Sequence, residues 1–485
     1  MTRVLQTYFT GLLVASTIGH AGIIINLPPP PPVSTLVVEQ RHDGRTDLLS
    51  CNMLGGLRQN VDINAAFTKT CIGTLGGRVI YARSGYGTGD AYSIDLMSAK
   101  PDGSSQMVLC SGFVSGTNAA LYGLAHTKVL LDSVHNRVVF EQSFGPAAHD
   151  IYSINADGSG LVALANDARD ERLMGMANGR VFYELQWSGT DTDLYAVESN
   201  GLNKTSISST GDNETFSALM ANKVYYQRAS GGVVGLWCAK PDGSSAVQLG
   251  GGAGSSNLVD TISGRALLLR TLPTGDQLVA QNEDGSSLVV LKDFGEVLGD
   301  RFWGGASNGY ALFASAWTVD GNPASYSRIP MYGGGESVAA SIDASIAGAY
   351  LLFGKVDDVT LWFQTFDGKQ SDVWIQSPDG SGRVNLAMTP SDERIKKFTG
   401  GRLIYSRAAY RGDQMDLFSI NQNGTGLVTL SATAYSDDYN ILLDATVFYG
   451  INQGTTTNLR RVYIDGTGTV DLWTLPGSAR VAAAL

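Results

Sequence analysis

The sequence predicts an all-β protein: a β-propeller of about ten four-stranded units, with a single closed ring favoured over two smaller ones. Three observations carry this reading. A short pattern recurs with a period of roughly 40 residues. It is clear in Asp150-Ile151-Tyr152-Ser153-Ile154-Asn155-Ala156-Asp157-Gly158 and again in Asp416-Leu417-Phe418-Ser419-Ile420-Asn421-Gln422-Asn423-Gly424. Glycine is abundant, 59 of 485 residues, and only 16% of residues are charged, which suits tight turns and disfavours long solvated helices. Asp-Gly or Asn-Gly pairs stand at 102–103, 157–158, 200–201, 242–243, 284–285, 379–380, 423–424 and 465–466, and these pairs are strong hairpin signals.

Each unit reads as strands A to D. Strand B is an apolar run behind a small turn, as in Gly77-Arg78-Val79-Ile80-Tyr81, Asn136-Arg137-Val138-Val139-Phe140, Gly179-Arg180-Val181-Phe182-Tyr183 and Gly401-Arg402-Leu403-Ile404-Tyr405. Its β-branched and aromatic residues suit a buried pleated surface. Strand C is the Asp-Leu-Tyr segment, seen also as Asp193-Leu194-Tyr195 and Asp372-Val373-Trp374. Alternation places its aromatic on one face, so Tyr152, Tyr195, Trp237, Trp374 and Phe418 are expected in the sheet core. The Asp-Gly or Asn-Gly pair turns the chain into the shorter strand D, such as Leu161-Val162-Ala163-Leu164.

The first unit lacks a strand A, because Pro28 to Pro32 directly precede Leu36-Val37-Val38. The terminal Arg480-Val481-Ala482-Ala483-Ala484-Leu485 is the candidate replacement. Pairing of the two would hide both sheet edges, which otherwise invite aggregation. The least regular units are the first and the one around Tyr326 to Gly335. The longest insertion, Ser115 to Leu131, is expected to be a loop over one face.

Residues 1–21 have the form of an export signal. Arg3 supplies the positive region, Tyr8 to Ile18 is mostly apolar, and Gly19 and Ala21 are small residues suited to cleavage after Ala21. An uncleaved anchor is the alternative. Residues 22–34 then form a proline-rich spacer, stiff through Pro28 to Pro32, and residues 35–485 form the propeller. No later stretch is apolar for long enough to span a membrane as a helix. The expected location is therefore periplasmic or secreted. A net charge of −11 argues against a nucleic-acid partner, whose phosphates need clustered Lys and Arg. In an oxidising compartment Cys51 and Cys71 are a possible disulfide, whereas Cys110 and Cys238 are expected as free thiols.

The repeats resemble those of the TolB-like propellers, which also form the propeller of the dipeptidyl peptidase IV group. The resemblance rests on the strand B pattern, the Asp-Leu-Tyr strand, and the words Pro101-Asp102-Gly103, Pro241-Asp242-Gly243 and Ser377-Pro378-Asp379-Gly380. It covers nearly all of residues 36–475. One departure is that the family's Ser-Pro-Asp-Gly precedes strand B, whereas here Pro-Asp-Gly falls in the C–D turn. The resemblance implies a periplasmic protein-binding scaffold.

Catalytic signals are weak. In the peptidase relatives an α/β-hydrolase domain carries the chemistry, and repeats fill this sequence to its end. Gly305-Ala306-Ser307-Asn308-Gly309 matches a nucleophile elbow in letters, but it occupies an A–B turn rather than a strand-to-helix turn. His42, His126, His135 and His149 are scattered over the first three units, so a clustered metal site is not expected, nor is any cofactor. The Asp-Gly turns lack the dense acid ligands that calcium needs.

The D–A loops hold the candidate site. They carry Asp170 and Glu171, Asp212 and Glu214, Asp392 and Glu393, and Asp437 and Asp438, to which Glu296 and Asp300 add. Exposed together at one end of the ring, these acids would concentrate cations and favour a basic peptide. The alternative is that they are solvated turn acids paired with Arg169, Arg172 or Arg394. The function read from the sequence is an exported, non-catalytic scaffold binding a protein or peptide in the cell envelope. Two others stay open: a propeller glycan lyase or hydrolase acting at the funnel mouth, and a structural spacer or assembly factor.

Overall fold

The computed structural model describes residues 35–86, 92–114, 128–145, 148–189, 191–220, 222–251, 254–296, 304–346, 349–357, 360–367, 370–387, 389–408 and 414–485. The expected export signal and spacer lie outside these residues, as do His126, Asp300 and residues 115–127 of the long insertion. Among the described residues there are forty strands and no helix, arranged as four-stranded antiparallel meanders. We number the meanders as sheets 1 to 10 in chain order. Sheets 8 and 9 are joined by one parallel bridge, Ser371 to Asp392.

Sheet 1 is built from both ends of the described chain. Thr35–His42, Arg45–Asn52 and Gln59–Asp62 are joined by the last strand, Ser478–Ala484. That strand runs antiparallel to Thr35–His42, with Leu36 opposite Ala484 and Arg41 opposite Ser478. The C-terminal segment therefore supplies the strand that the first repeat lacks.

The apolar residues of the repeat form seams between successive sheets. Val139, Ile151 and Leu164 of sheet 3 pack on Leu173, Val181 and Tyr183 of sheet 4. Phe182, Leu194 and Ala196 of sheet 4 pack on Val224 and Tyr226 of sheet 5. Leu36, Val38 and Cys51 of sheet 1 pack on Phe448, Leu459 and Leu475 of sheet 10. The strand C aromatics stack on strand B aromatics of their own sheet: Tyr183 on Tyr195 at 5.7 Å, Phe363 on Trp374 at 5.6 Å and Tyr405 on Phe418 at 5.6 Å. Of the five expected in the sheet core, Trp374 and Phe418 are buried and Tyr152, Tyr195 and Trp237 half-buried. First strands of neighbouring sheets also touch, as in sheets 4 and 5 and in sheets 6 and 7, so the sheets converge on that edge.

A recurring arginine braces sheets 2, 3 and 9. Arg137, in the strand B word, donates to Ser153 Oγ (2.9 Å) and Asn155 Oδ1 (2.8 Å), bracing the C–D turn. Arg78 reaches Ser98 Oγ at 2.6 Å, and Arg402 reaches Ser419 Oγ at 2.9 Å. The serine hydroxyls then donate to the next sheet: Ser98 to the Ala156 carbonyl (2.5 Å) and Ser419 to the Ile464 carbonyl (2.6 Å). The C–D turn needs glycine where the expectation placed it. Gly103 has φ +76, and a Cβ there would lie 2.1 Å from the Asn60 carbonyl oxygen of sheet 1.

Two sequence expectations concern single residues. Ser307 ends the first strand of sheet 7, Gly304–Ser307, and a hairpin leads straight into the strand Tyr310–Trp317, so the strand-to-helix turn of a nucleophile elbow does not form. The possible disulfide is corrected: Cys51 and Cys71 are free thiols. Cys51 belongs to the seam between sheets 10 and 1, and Cys71 to the seam between sheets 1 and 2. Burial pushes each thiol up to about 12, so both stay protonated and inert.

Candidate functional site

The acids picked out in the sequence begin the first strands of their sheets. Asp170 and Glu171 open Asp170–Ala177 of sheet 4, and Glu214 lies in Asn213–Met220 of sheet 5. Asp392 and Glu393 open Asp392–Thr399 of sheet 9, and Asp437 and Asp438 lie in Ser436–Leu443 of sheet 10. Strand alternation then sorts them. The second position of each strand points into the seam and the third points out.

This corrects the expectation of exposed loop acids. Glu214 and Glu393 are fully buried, Glu171, Asp437, Asp170 and Asp392 nearly so, and Asp212 is half-buried. Asp438 alone among the eight is exposed. The reason is that the chain enters strand conformation at these acids instead of after them. The outward register holds Arg172, Thr215, Asn257, Arg394 and Asp438, a mixed set and not an acidic one. Glu296 is exposed in the loop after sheet 6.

The first-position acids Asp170 and Asp392, and Asp212 just before its strand, are spoken for. Asp170 accepts from Arg172 Nε at 2.8 Å and lies 2.6 Å from His149 Nδ1. These partners hold its carboxyl below the usual range against the opposing effect of burial. Asp392 accepts from Ser371 Oγ (2.8 Å) and from Arg394 Nη2 (2.8 Å). Asp212 accepts from Arg228 Nη2 at 2.6 Å, which lowers its pKa. The expected pairing with Arg172 and Arg394 is thus present; Arg169 instead meets Asp167 at 3.5 Å.

The second-position acids behave differently. Desolvation pushes Glu171 up to about 8, Glu393 up to about 7 and Asp437 up to about 6, and raises Glu214 as well. Glu171, Glu393 and Asp437 are thus close to neutral-pH titration, and all four carboxyls are closed to solvent. They can hold protons, but a peptide or glycan cannot reach them without opening a seam.

A second carboxylate set was missed in the sequence. The first strands of sheets 2, 4 and 5 each bulge, at Ile72, Met174 and Ser217, and the N–H just before the bulge lacks a ladder partner. The preceding sheet supplies one. Glu39 Oε1 accepts from Cys71 N at 2.7 Å, Glu141 Oε2 from Leu173 N at 2.8 Å, and Glu184 Oε1 from Phe216 N at 2.7 Å. The signal was a glutamate just after the apolar strand B word, in Val139-Phe140-Glu141 and Phe182-Tyr183-Glu184.

The loops themselves present apolar groups. In an antiparallel meander the turn between second and third strands shares an end with the connection to the next sheet. On that end Ile63, Trp187, Val233, Val319 and Tyr435 are exposed. Trp187 Nε1 donates to Asp193 at 2.5 Å, and the Arg169 guanidinium lies 3.2 Å from the centre of its ring.

No known family profile matches the chain, and no curated protein matches it. Among the solved structures it resembles are a tricorn protease, the propeller domain of a protease, a prolyl endopeptidase and a putative TolB. Against the tricorn protease the TM-score is 0.33 at 10% identity, covering 90% of this chain and 58% of the other. Against the β-propeller domain of the Trilobed protease from Pyrococcus furiosus it is 0.33 at 9% identity, covering 77% and 98%. Against a putative TolB from Agrobacterium tumefaciens it is 0.25 at 12% identity, covering 57% and 86%. The chain thus spans little more than half the length of the tricorn protease chain.

Proposed function

We propose that this chain is an exported, non-catalytic β-propeller scaffold that binds a protein or peptide partner in the cell envelope. Export rests on the signal-like residues 1–21. A single closed ring is supported by the pairing of the last strand with the first and by the apolar seam between sheets 10 and 1. The partner binds at the end that carries the loops between sheets.

The observation that carries this reading is Trp187. It is half-exposed, yet its indole is fixed by Asp193 at its N–H edge and by Arg169 over its face. A large aromatic held in place loses little freedom on binding and suits the centre of an interface. Tyr435 and Val319 add apolar surface at the same end. Burial of the acids removes the support for a basic peptide and favours an apolar or aromatic ligand segment. It also takes Asp170, Glu171, Glu214, Asp392, Glu393 and Asp437 out of reach of a glycan or peptide, which weakens the hydrolase reading.

The test is an affinity pull-down from envelope extract, with native protein beside the Trp187→Ala, Tyr435→Ala variant, read by mass spectrometry. The expected result is a partner held by native protein and lost by the variant while circular dichroism is unchanged. A partner held equally by both, or none held by either, overturns the reading. The next step would then be a screen for glycan and peptide turnover.

A further inference from the structure

Four seams set a carboxylate against a carboxylate. The third strands of sheets 3, 4, 8 and 9 carry Asp150, Asp193, Asp372 and Asp416 near their starts. The first strands of the sheets that follow carry Glu171, Glu214, Glu393 and Asp437, each at the same sequence distance from its partner. Each pair is close enough to interact, and each first-strand acid is at most 1% exposed.

In every one of these four acids a single oxygen is satisfied. Glu171 Oε1 accepts from the Asp167 backbone N–H at 3.1 Å, and Asp437 Oδ1 accepts from Thr433 Oγ1 at 3.0 Å. Thr210 and Thr389 donate to Glu214 and Glu393 in the same way. The other oxygen has no hydrogen-bond partner: Oε2 in the three glutamates and Oδ2 in Asp437. Across the seam Asp193 Oδ1 and Asp416 Oδ1 are also unpartnered.

The chain contains its own comparison. In the seam between sheets 1 and 2 the third-strand acid is Asp47, and the register position of Glu171 is held by Lys69. The Lys69 side chain is fully buried, with Nζ 3.2 Å from Asp47 Oδ1, 2.5 Å from the Asn64 carbonyl and 3.7 Å from Asp62 Oδ1. Here a covalently attached positive charge fills the place that is bare between the acids of the other four seams.

We propose that the four acid–acid seams are proton-binding sites, each seating one exchangeable proton between its two carboxyl groups. Ionisation releases that proton to solvent and leaves a buried carboxylate facing the carboxylate across the seam, which is itself buried in Asp193 and half-buried in Asp150, Asp372 and Asp416. Cohesion among sheets 3 to 5 and 8 to 10 therefore weakens as pH rises. The other groups facing each acid are few. Asp167, Tyr152 and Tyr183 surround Glu171, and Ser208, Tyr226 and Arg228 surround Glu214, with Arg228 Nε at 3.8 Å. Arg407 and Tyr405 face Glu393, and Ser431 and Tyr449 face Asp437. An arginine stands by the Glu214 and Glu393 seams, and Arg407 also acts on Asp416 across from Asp437, so Glu171 is the most dependent on its proton.

The linkage sign follows from raised folded-state values. The native chain holds protons that the unfolded chain releases near pH 4 to 4.5, so stability falls from there through the values near 6, 7 and 8. The experiment is thermal unfolding of the full chain from about pH 5 to about pH 9, native beside Glu171→Gln, Glu393→Gln and the double variant. The native Tm should fall by about 3 °C or more across that range, and the double variant should lose much of the slope. A flat or rising native profile overturns the proposal, as does an unchanged slope in the double variant. Recovery of the native Tm at high pH by millimolar calcium chloride also overturns it, because the seams would then hold a cation. Should the variants fail to fold, infrared difference spectra of the native chain decide. A protonated-carboxyl C=O band lost between about pH 5 and about pH 9 is expected, and its absence refutes the reading.

Discussion

Replacing Lys69 with methionine should break the seam between sheets 1 and 2 without changing its volume much. The side chain is fully buried, and its ammonium lies between Asp47 at 3.2 Å and Asp62 at 3.7 Å, with the Asn64 carbonyl at 2.5 Å. Methionine fills the space of the stem, so the cavity contribution is small. What remains is the electrostatic loss. Asp62 keeps the Tyr81 hydroxyl (3.1 Å) and the Asn64 N–H (3.0 Å), and Asp47 keeps His42 Nε2 at 2.8 Å, so neither carboxylate is stripped bare. Breaking one partner of a buried pair typically costs about 3–5 kcal/mol, and these surviving contacts place the expected loss near the lower end. The assay is urea unfolding followed by tryptophan fluorescence, at about pH 8 and about pH 5.5. Asp47 raises the pKa of His42 through a hydrogen bond. A protonated His42 supplies positive charge at the lower pH, so the loss should be smaller there. Adding Asp47→Asn to Lys69→Met should recover part of the loss, because one orphaned charge is removed. A single-variant loss below about 1 kcal/mol, or no recovery in the double variant, would refute the claim that the buried cation holds this seam.

Two further outcomes separate the structure from the sequence reading. The double change Asp392→Ala, Glu393→Ala, harmless if these were exposed loop residues, should cost roughly 2–5 kcal/mol, because it removes buried contacts to Ser371, Arg394 and Thr389; a denaturation midpoint equal to that of native protein would restore the loop assignment. Gly103→Ala should cost more than Gly158→Ala in the same assay. Both turns have positive φ, but the new Cβ would meet the Asn60 backbone oxygen at 2.1 Å in one and the end of the flexible Met107 side chain at 2.6 Å in the other. Equal losses would mean that φ alone sets the cost.

The repeat unit was legible because its signals are local. Asp-Gly at 157–158 gives a hairpin, and the run Val138-Val139-Phe140 gives a buried strand, whatever surrounds them. The missing strand of the first unit could be read too, because a chain that starts a meander one strand short needs a partner from elsewhere. Burial of the acids was not legible in the same way. Asp392-Glu393-Arg394 reads as a polar loop in isolation. It becomes a strand only because the ladder continues to Ala408 opposite Asp392. The polar side chains then face into the seam, where their partners come from the preceding sheet: Ser371 for Asp392.

What could have been seen in advance is the pairing across repeats. Aligning the units places Asp150, Asp193, Asp372 and Asp416 at one recurring position, and Glu171, Glu214, Glu393 and Asp437 at another. Where a carboxylate recurs at both, the same two strands meet in every seam, so repulsion is built into the repeat unless something neutralises it. The sequence offers one resolved instance, Asp47 with Lys69. Buried charges persist only when paired or protonated. The register therefore constrains the chemistry of seams whose individual residues look like ordinary surface acids, and it ties the cohesion of the scaffold to pH before any partner is considered.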